Sequence, residues 1–158
     1  MEKSHDYYLK ETIKMAVENV SSGNGGPFGA IVVRNGEIIG KGVNTVTGSN
    51  DPTAHAEVNA IRDACRNIGD FQLNGCVIYS SCEPCPMCMG AIYWARPDKV
   101  YFAAGKSDAA QAGFDDSFIY SEIEKIPENR NIPFILLRMS ESLVPFAAWE
   151  NTVDKKEY

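Results

Sequence analysis

Two short segments hold the residue types that can do chemistry: Thr53-Ala54-His55-Ala56-Glu57 and Cys82-Glu83-Pro84-Cys85-Pro86-Met87-Cys88. Zinc takes about four donors in a tetrahedron, and imidazole nitrogen and thiolate sulfur suit it well. His55, Cys85 and Cys88 supply three. Two residues separate Cys85 from Cys88, a spacing at which one helical turn offers two sulfurs to one ion. Three protein ligands leave one position for water, the arrangement of a catalytic zinc rather than a structural one. Zinc lowers the pKa of such a water to about 7, and Glu57 is the carboxylate placed to carry its proton. Cys82 has two readings. As a fourth ligand it would make the site structural; otherwise it is a small residue packing at a strand end. A non-catalytic binding module around a structural zinc therefore stands as an alternative of another class.

Helices and strands must bring these residues together. Leu9, Ile13, Ala16, Val17 and Val20 recur at helical spacing and predict a first helix with one apolar face. Ser21-Ser22-Gly23-Asn24-Gly25-Gly26-Pro27 stops it. Asn35-Gly36 between the apolar runs Ala30–Val33 and Ile38-Ile39 predicts an antiparallel hairpin. Asp51-Pro52-Thr53 predicts the opening of a second helix, with apolar positions at Ala60, Ile61, Ala64, Cys65 and Ile68 and its end at Gly69. Cys76–Tyr79 predicts a buried strand. Pro86 opens a third helix that runs through Trp94. Val100–Ala104 predicts another strand, Ile135–Leu137 a last one, and Leu143–Val153 a C-terminal helix before a polar tail. This alternation implies parallel crossovers in a sheet lying between helices, an α/β fold whose first strand pair is antiparallel. Both reactive segments fall at helix N-termini, where the positive end of the dipole favours thiolate over thiol. Residues two apart, such as His55 and Glu57, do not share a face of a regular helix. An ion bound there must sit over the helix end.

The chain has 158 residues, the size of one domain, with an ordinary globular balance of 44% hydrophobic and 23% charged residues. No apolar run approaches the roughly 18 residues of a membrane span. The charged start Met1–Asp6 leads into no apolar stretch of a secretory leader, so a cytoplasmic protein is expected. Lys and Arg number 15 against 21 Asp and Glu, a net charge of −6. Proteins that grip nucleic acid usually carry a basic face, so no nucleic-acid partner is expected, and no membrane. A small uncharged substrate suits this balance better. The cysteines number five, three of them within seven residues. That suits a metal centre in a reducing compartment better than a disulfide framework. Cys65 and Cys76 read as core residues, and His5 as a solvated terminal one.

His-x-Glu followed by Pro-Cys-x-x-Cys is the signature of zinc nucleobase deaminases. With Pro27-Phe28-Gly29-Ala30, Asp51-Pro52-Thr53-Ala54-His55-Ala56-Glu57-Val58 and Ser81-Cys82-Glu83-Pro84-Cys85-Pro86-Met87-Cys88, the chain resembles the cytidine/deoxycytidylate deaminase-like superfamily over nearly its whole length. Ala109–Tyr120 and the ending Lys155-Lys156-Glu157-Tyr158 are most similar to the short bacterial guanine deaminases within it. The resemblance implies a three-layer α/β/α sandwich formed by a single domain, 1–158, with one zinc per subunit. It implies hydrolysis of guanine to xanthine and ammonia, with Glu57 and Asp116 catalytic. It nominates Phe28, Asn44, Ala56, Trp94, Asp116 and Tyr158 as substrate contacts. It also implies a homodimer in which the segment of about 140–158 is exchanged, so that Tyr158 lines the partner's site. Read from the residues alone, Asp116 is a helix cap, Asn44 a turn residue, Phe28 and Trp94 core aromatics, and Tyr158 the end of a disordered tail. Two other substrates share the zinc chemistry. A tRNA adenosine deaminase needs basic residues around its pocket, which the charge of −6 disfavours; a cytosine or nucleoside deaminase is the second.

Overall fold

A computed structural model describes residues 3–158. The chain divides into two compact units, one ending at Asp116 and the other spanning Ser117–Tyr158. The first contains α1 (His5–Ser22), β1 (Gly29–Arg34), β2 (Glu37–Val43), α2 (Val46–Ser49), α3 (Ala56–Ile68), β3 (Cys76–Cys82), α4 (Pro86–Ala95), β4 (Lys99–Ala104) and α5 (Lys106–Gln111). The second contains α6 (Ser117–Glu124), a 3-10 turn at Pro127–Asn129 and α7 (Val144–Glu150).

The sheet has the order β2-β1-β3-β4. β1 runs antiparallel to both neighbours, and β3 pairs parallel with β4. Asn35 and Gly36 close the hairpin with φ of 50° and 79°. A two-residue turn with both φ positive matches strand twist, which is why Asn-Gly is favoured there. Because β1 opposes both β2 and β3, those two strands run the same way, and α3 is a crossover that skips β1. The mixed sheet with an antiparallel first pair is therefore as the sequence implies.

Alternation along the strands divides the core into two faces. Ile31, Val33 and Tyr79 face Tyr8 of α1. Ala30, Val32, Cys76 and Ile78 face α3 and α4, where Ala56, Ala60, Ala64, Ile92 and Ala95 meet them. Helix, sheet and helices make three layers. Glycine on β2 lets α3 lie directly on the sheet. A Cβ at Gly40 would stand 2.6 Å from the Ala64 Cβ, and one at Gly42 would fall on the Ala56 carbonyl and the Ala60 nitrogen.

Three expectations need correction. The face that α1 buries is Tyr8, Thr12, Ala16 and Asn19, whereas Ile13, Val17 and Val20 are 44%, 62% and 54% exposed. The inward polar groups bring their own hydrogen bonds: Tyr8 Oη donates to the Gly36 carbonyl (2.8 Å) and Thr12 Oγ1 to the Leu9 carbonyl (2.7 Å). His5 is exposed, as expected of a solvated terminal residue, and it is also tethered. It opens α1, its Nδ1 lies 2.7 Å from Tyr79 Oη, and its ring lies 4.2 Å from that of Tyr101. The second long helix opens at Ala56 rather than at Asp51-Pro52-Thr53. Asp51 Oδ1 instead accepts from the Thr53 N–H (2.8 Å) and hydroxyl (2.7 Å), an Asx-turn that competes with helix. Ile135–Leu137 forms no strand, because no β ladder takes up its backbone.

The second unit is tied within itself by Glu122. Its carbonyl accepts from Arg130 Nε (3.0 Å), and its Oε2 from the Asn131 N–H (2.7 Å). The C-terminal helix is shorter than Leu143–Val153, and none of its residues is buried within the chain. Among the described residues, no helix is long and apolar enough to cross a membrane.

Candidate active site

His55 is the N-cap of α3 and Cys85 the N-cap of α4. Both caps have extended backbone, with ψ of 157° and 170°, so their side chains turn back over the helix ends. Pro86 favours this at α4, since its missing N–H costs nothing in the first turn. His55 Nδ1 lies 3.5 Å from Cys85 Sγ and 3.5 Å from Cys88 Sγ. All three donor atoms lie within 4.8 Å of one another. The tension between His55 and Glu57 disappears, because the group sits over the end of α3 and not along its side.

Cys88 is fully buried and Cys85 half-buried. Hydrogen bonds from the Cys88 thiol and from His55 hold Cys85 down to about 4, against the cost of burial. The Cys88 thiol is pushed upward, chiefly because it is the donor to Cys85, and further by burial and by Glu57. The protein alone thus readily ionises one of the two sulfurs. A dication among them is what lets both be thiolates, and two helix N-termini add to the same field. This donor set fits one zinc ion per chain. Cys82 lies outside it, with Sγ directed at the Gly105 carbonyl (3.8 Å), as a residue packing at the end of β3. Cys76 is buried in the core, and Cys65 packs against it.

Glu57 sits one turn-position inside α3 and is buried. Its Oε2 lies 3.4 Å from Cys88 Sγ, and its Oε1 accepts from Ser80 Oγ (2.9 Å). Burial pushes its carboxyl above the ordinary range, and the hydrogen bonds from its own N–H, Ser80 and Cys88 only partly offset this. A carboxyl so placed is suited to take up and pass on a proton. Ser80 escaped the sequence reading. It lies on the face of β3 that carries Cys76 and Ile78, and is fully buried.

Around this centre lie several of the nominated residues. Asn44 is buried, and its Oδ1 accepts from the N–H groups of Gly26 (3.2 Å) and Val46 (3.2 Å). Its Nδ2, a donor, has no protein partner among the described residues. Phe28 meets Phe114 edge-to-face at 5.0 Å, and Gly26 leaves room for both rings. Ala56 begins α3, so its backbone N–H is one of the unpaired donors at that end. Asp116 is half-buried. Desolvation raises its carboxyl, and so does the field of Cys85. Trp94 lies near the far end of α4, 63% exposed, and Tyr158 is exposed in the second unit.

The chain belongs to the cytidine and deoxycytidylate deaminase family, whose zinc-binding region matches residues 2–104. It is 59% identical to the guanine deaminase of Bacillus subtilis over 155 residues, 98% of this chain and 99% of that one. The X-ray structure of guanine deaminase from Bacillus subtilis superposes with a TM-score of 0.97 at 58% identity, covering 99% of each chain. The tRNA-specific adenosine deaminase of Aquifex aeolicus is 44% identical over 99 residues, 63% of this chain and 65% of that one.

Proposed function

We propose that this chain hydrolyses guanine, with water, to xanthine and ammonia. The observation that carries the reading is the buried Glu57 carboxyl, 3.4 Å from the Cys88 sulfur of a three-ligand centre. His55, Cys85 and Cys88 would hold a zinc ion, which when bound would supply an activated water as nucleophile. Glu57 takes one proton of the water and delivers it to ring N3 of guanine; it then takes the proton left on the new C2 oxygen and passes it to the 2-amino nitrogen, so that the C2–N bond breaks, ammonia leaves and the C2 carbonyl of xanthine forms. Such transfer contributes typically 10² to 10⁴ in rate. Asn44 Nδ2 donates toward O6 and N7, since its Oδ1 is already held by Gly26 and Val46. Asp116 faces the N1–H and 2-amino donors. Phe28 packs on the ring, and the Ala56 N–H adds a donor at the helix end. Purified zinc-loaded protein is expected to release ammonia from guanine and not from adenine, cytosine, cytidine or guanosine, and Glu57→Gln to abolish release with zinc still bound. Release from a different base would retain the proton carrier and remove Asn44 and Asp116 from these roles.

The assembly we infer is a homodimer in which the segment of about 140–158 is exchanged and Tyr158 reaches the partner's site, with Trp94 also against the base. In support, α1 leaves Ile13, Val17 and Val20 uncovered, and α7 leaves Val144, Phe146 and Trp149 uncovered. Light scattering is expected to give twice the 17.4 kDa chain mass. The monomer mass would sink the exchange. The free cysteines suit a reducing cytoplasm, and the acidic charge suits a substrate that is not a nucleic acid.

A further inference from the structure

We propose that Asn19, on α1, is a positioning residue for base recognition; this rests on the guanine reading above. Asn19 is 4% exposed, on a helix face where an apolar residue would satisfy burial alone. Its Nδ2 donates twice, to the Gly26 carbonyl (2.9 Å) and to the Asn44 carbonyl (2.8 Å). Its Oδ1 has no partner among the described residues. A half-satisfied buried amide is a poor device for stability. What it does achieve is to clamp two loops at one point.

Those loops carry the groups that meet the base. Gly26 precedes Phe28 by two residues, and the Gly26 N–H itself holds Asn44 Oδ1. The Asn44 N–H donates to the Phe28 carbonyl (3.1 Å). Asn19 therefore closes a ring of bonds that fixes the Asn44 amide with its donor outward and sets its distance from the Phe28 ring. Gly25 belongs to the same clamp, since a Cβ there would fall on the Asn44 carbonyl. No bond from Asn19 reaches His55, Glu57, Cys85 or Cys88. It acts on how the base is held and leaves proton transfer alone.

The test uses full-length zinc-loaded protein. Glu57→Gln, which binds without turnover, is compared with the double variants Asn19→Leu/Glu57→Gln and Asn19→Ser/Glu57→Gln. Equilibrium dialysis with radiolabelled guanine gives the affinity, and metal analysis gives the zinc content. Guanine binding is expected to weaken about tenfold or more with zinc content unchanged. With Glu57 intact, KM rises by a similar factor while kcat stays within about threefold. Unchanged binding in either folded variant, or loss of the fold in both, assigns Asn19 to stability and overturns the proposal. If Glu57→Gln alone fails to bind guanine, and the wild type releases no ammonia from it, the functional reading fails first.

Discussion

At the residue scale, the Glu57 carboxyl is set by its neighbours more than by its own type. Burial, and then the charge of Cys85, raise Glu57, while the Ser80 hydroxyl at 2.9 Å limits the rise and fixes one oxygen. A hydrogen bond to a charged group is worth about 1.5–3 kcal/mol, and about 1.4 kcal/mol is a factor of ten in rate. Ser80→Ala is therefore expected to lower kcat about tenfold, with KM within about twofold and zinc content intact. Steady-state kinetics with metal analysis checks this, and a change confined to KM would assign Ser80 to binding. The grouping of His55, Cys85 and Cys88 beside Glu57 was legible in the sequence because their types are rare together and two of them share one turn. Ser80 was not. Ser80 and Ser81 are adjacent, and a slip of one residue in register exchanges which of them faces α3. In the structure Ser81 faces the other way and takes the Gly29 N–H (3.0 Å). Asn19 was hidden for a related reason, since helical spacing pointed to Ile13, Val17 and Val20 and the buried face lies beside them.

At the element scale, the site depends on where two helices begin. α3 rests on β2 through Gly40 and Gly42, against the small residues Ala56, Ala60 and Ala64. Gly42→Ala places a methyl group into the first turn of α3, beside His55. Overpacking of this kind costs about 1–3 kcal/mol. The variant is expected to unfold at lower denaturant and to bind zinc more weakly; chemical denaturation and a competitive chelator titration measure the two. A loss of stability with unchanged zinc affinity would show that the helix end does not move. The hairpin and α4 were legible because Asn-Gly and a Pro at the first helical position act locally. The start of α3 was misjudged because an Asp before Pro-Thr serves equally for an Asx-turn. The run Ile135–Leu137 has strand composition, but composition does not supply a neighbouring strand.

For the whole molecule, the metal and the fold are thermodynamically linked. A ligand that binds only the native chain stabilises it by about 2.7 kcal/mol at a free concentration one hundred times its Kd. At this chain length each kcal/mol is worth about 2–4 °C in Tm. Removal of zinc by a chelator is expected to abolish activity and lower Tm by several degrees. Zinc restores both and magnesium neither, since sulfur and imidazole select against hard cations. Scanning calorimetry on the chelated and reloaded protein gives the answer; an unchanged Tm would mean that the three ligands contribute nothing to the fold. The layered architecture was legible from the alternation of strand and helix. The exposed apolar surfaces of α1 and α7 were not, because a sequence does not say which of its own faces stays uncovered.

The spacing of the ligands also orders events during synthesis. Cys85 and Cys88 lie within one turn, whereas His55 precedes Cys85 by thirty residues. α3 and β3 occupy that interval. A ribosome delivers His55 first, and an ion can join all three donors only after the chain through Cys88 has emerged. Closing so long a loop costs entropy that grows slowly with its length, and pairing β3 with β1 brings the two ends of that loop toward one another. An ion captured once the central strands have paired would seal a nascent fold rather than nucleate it.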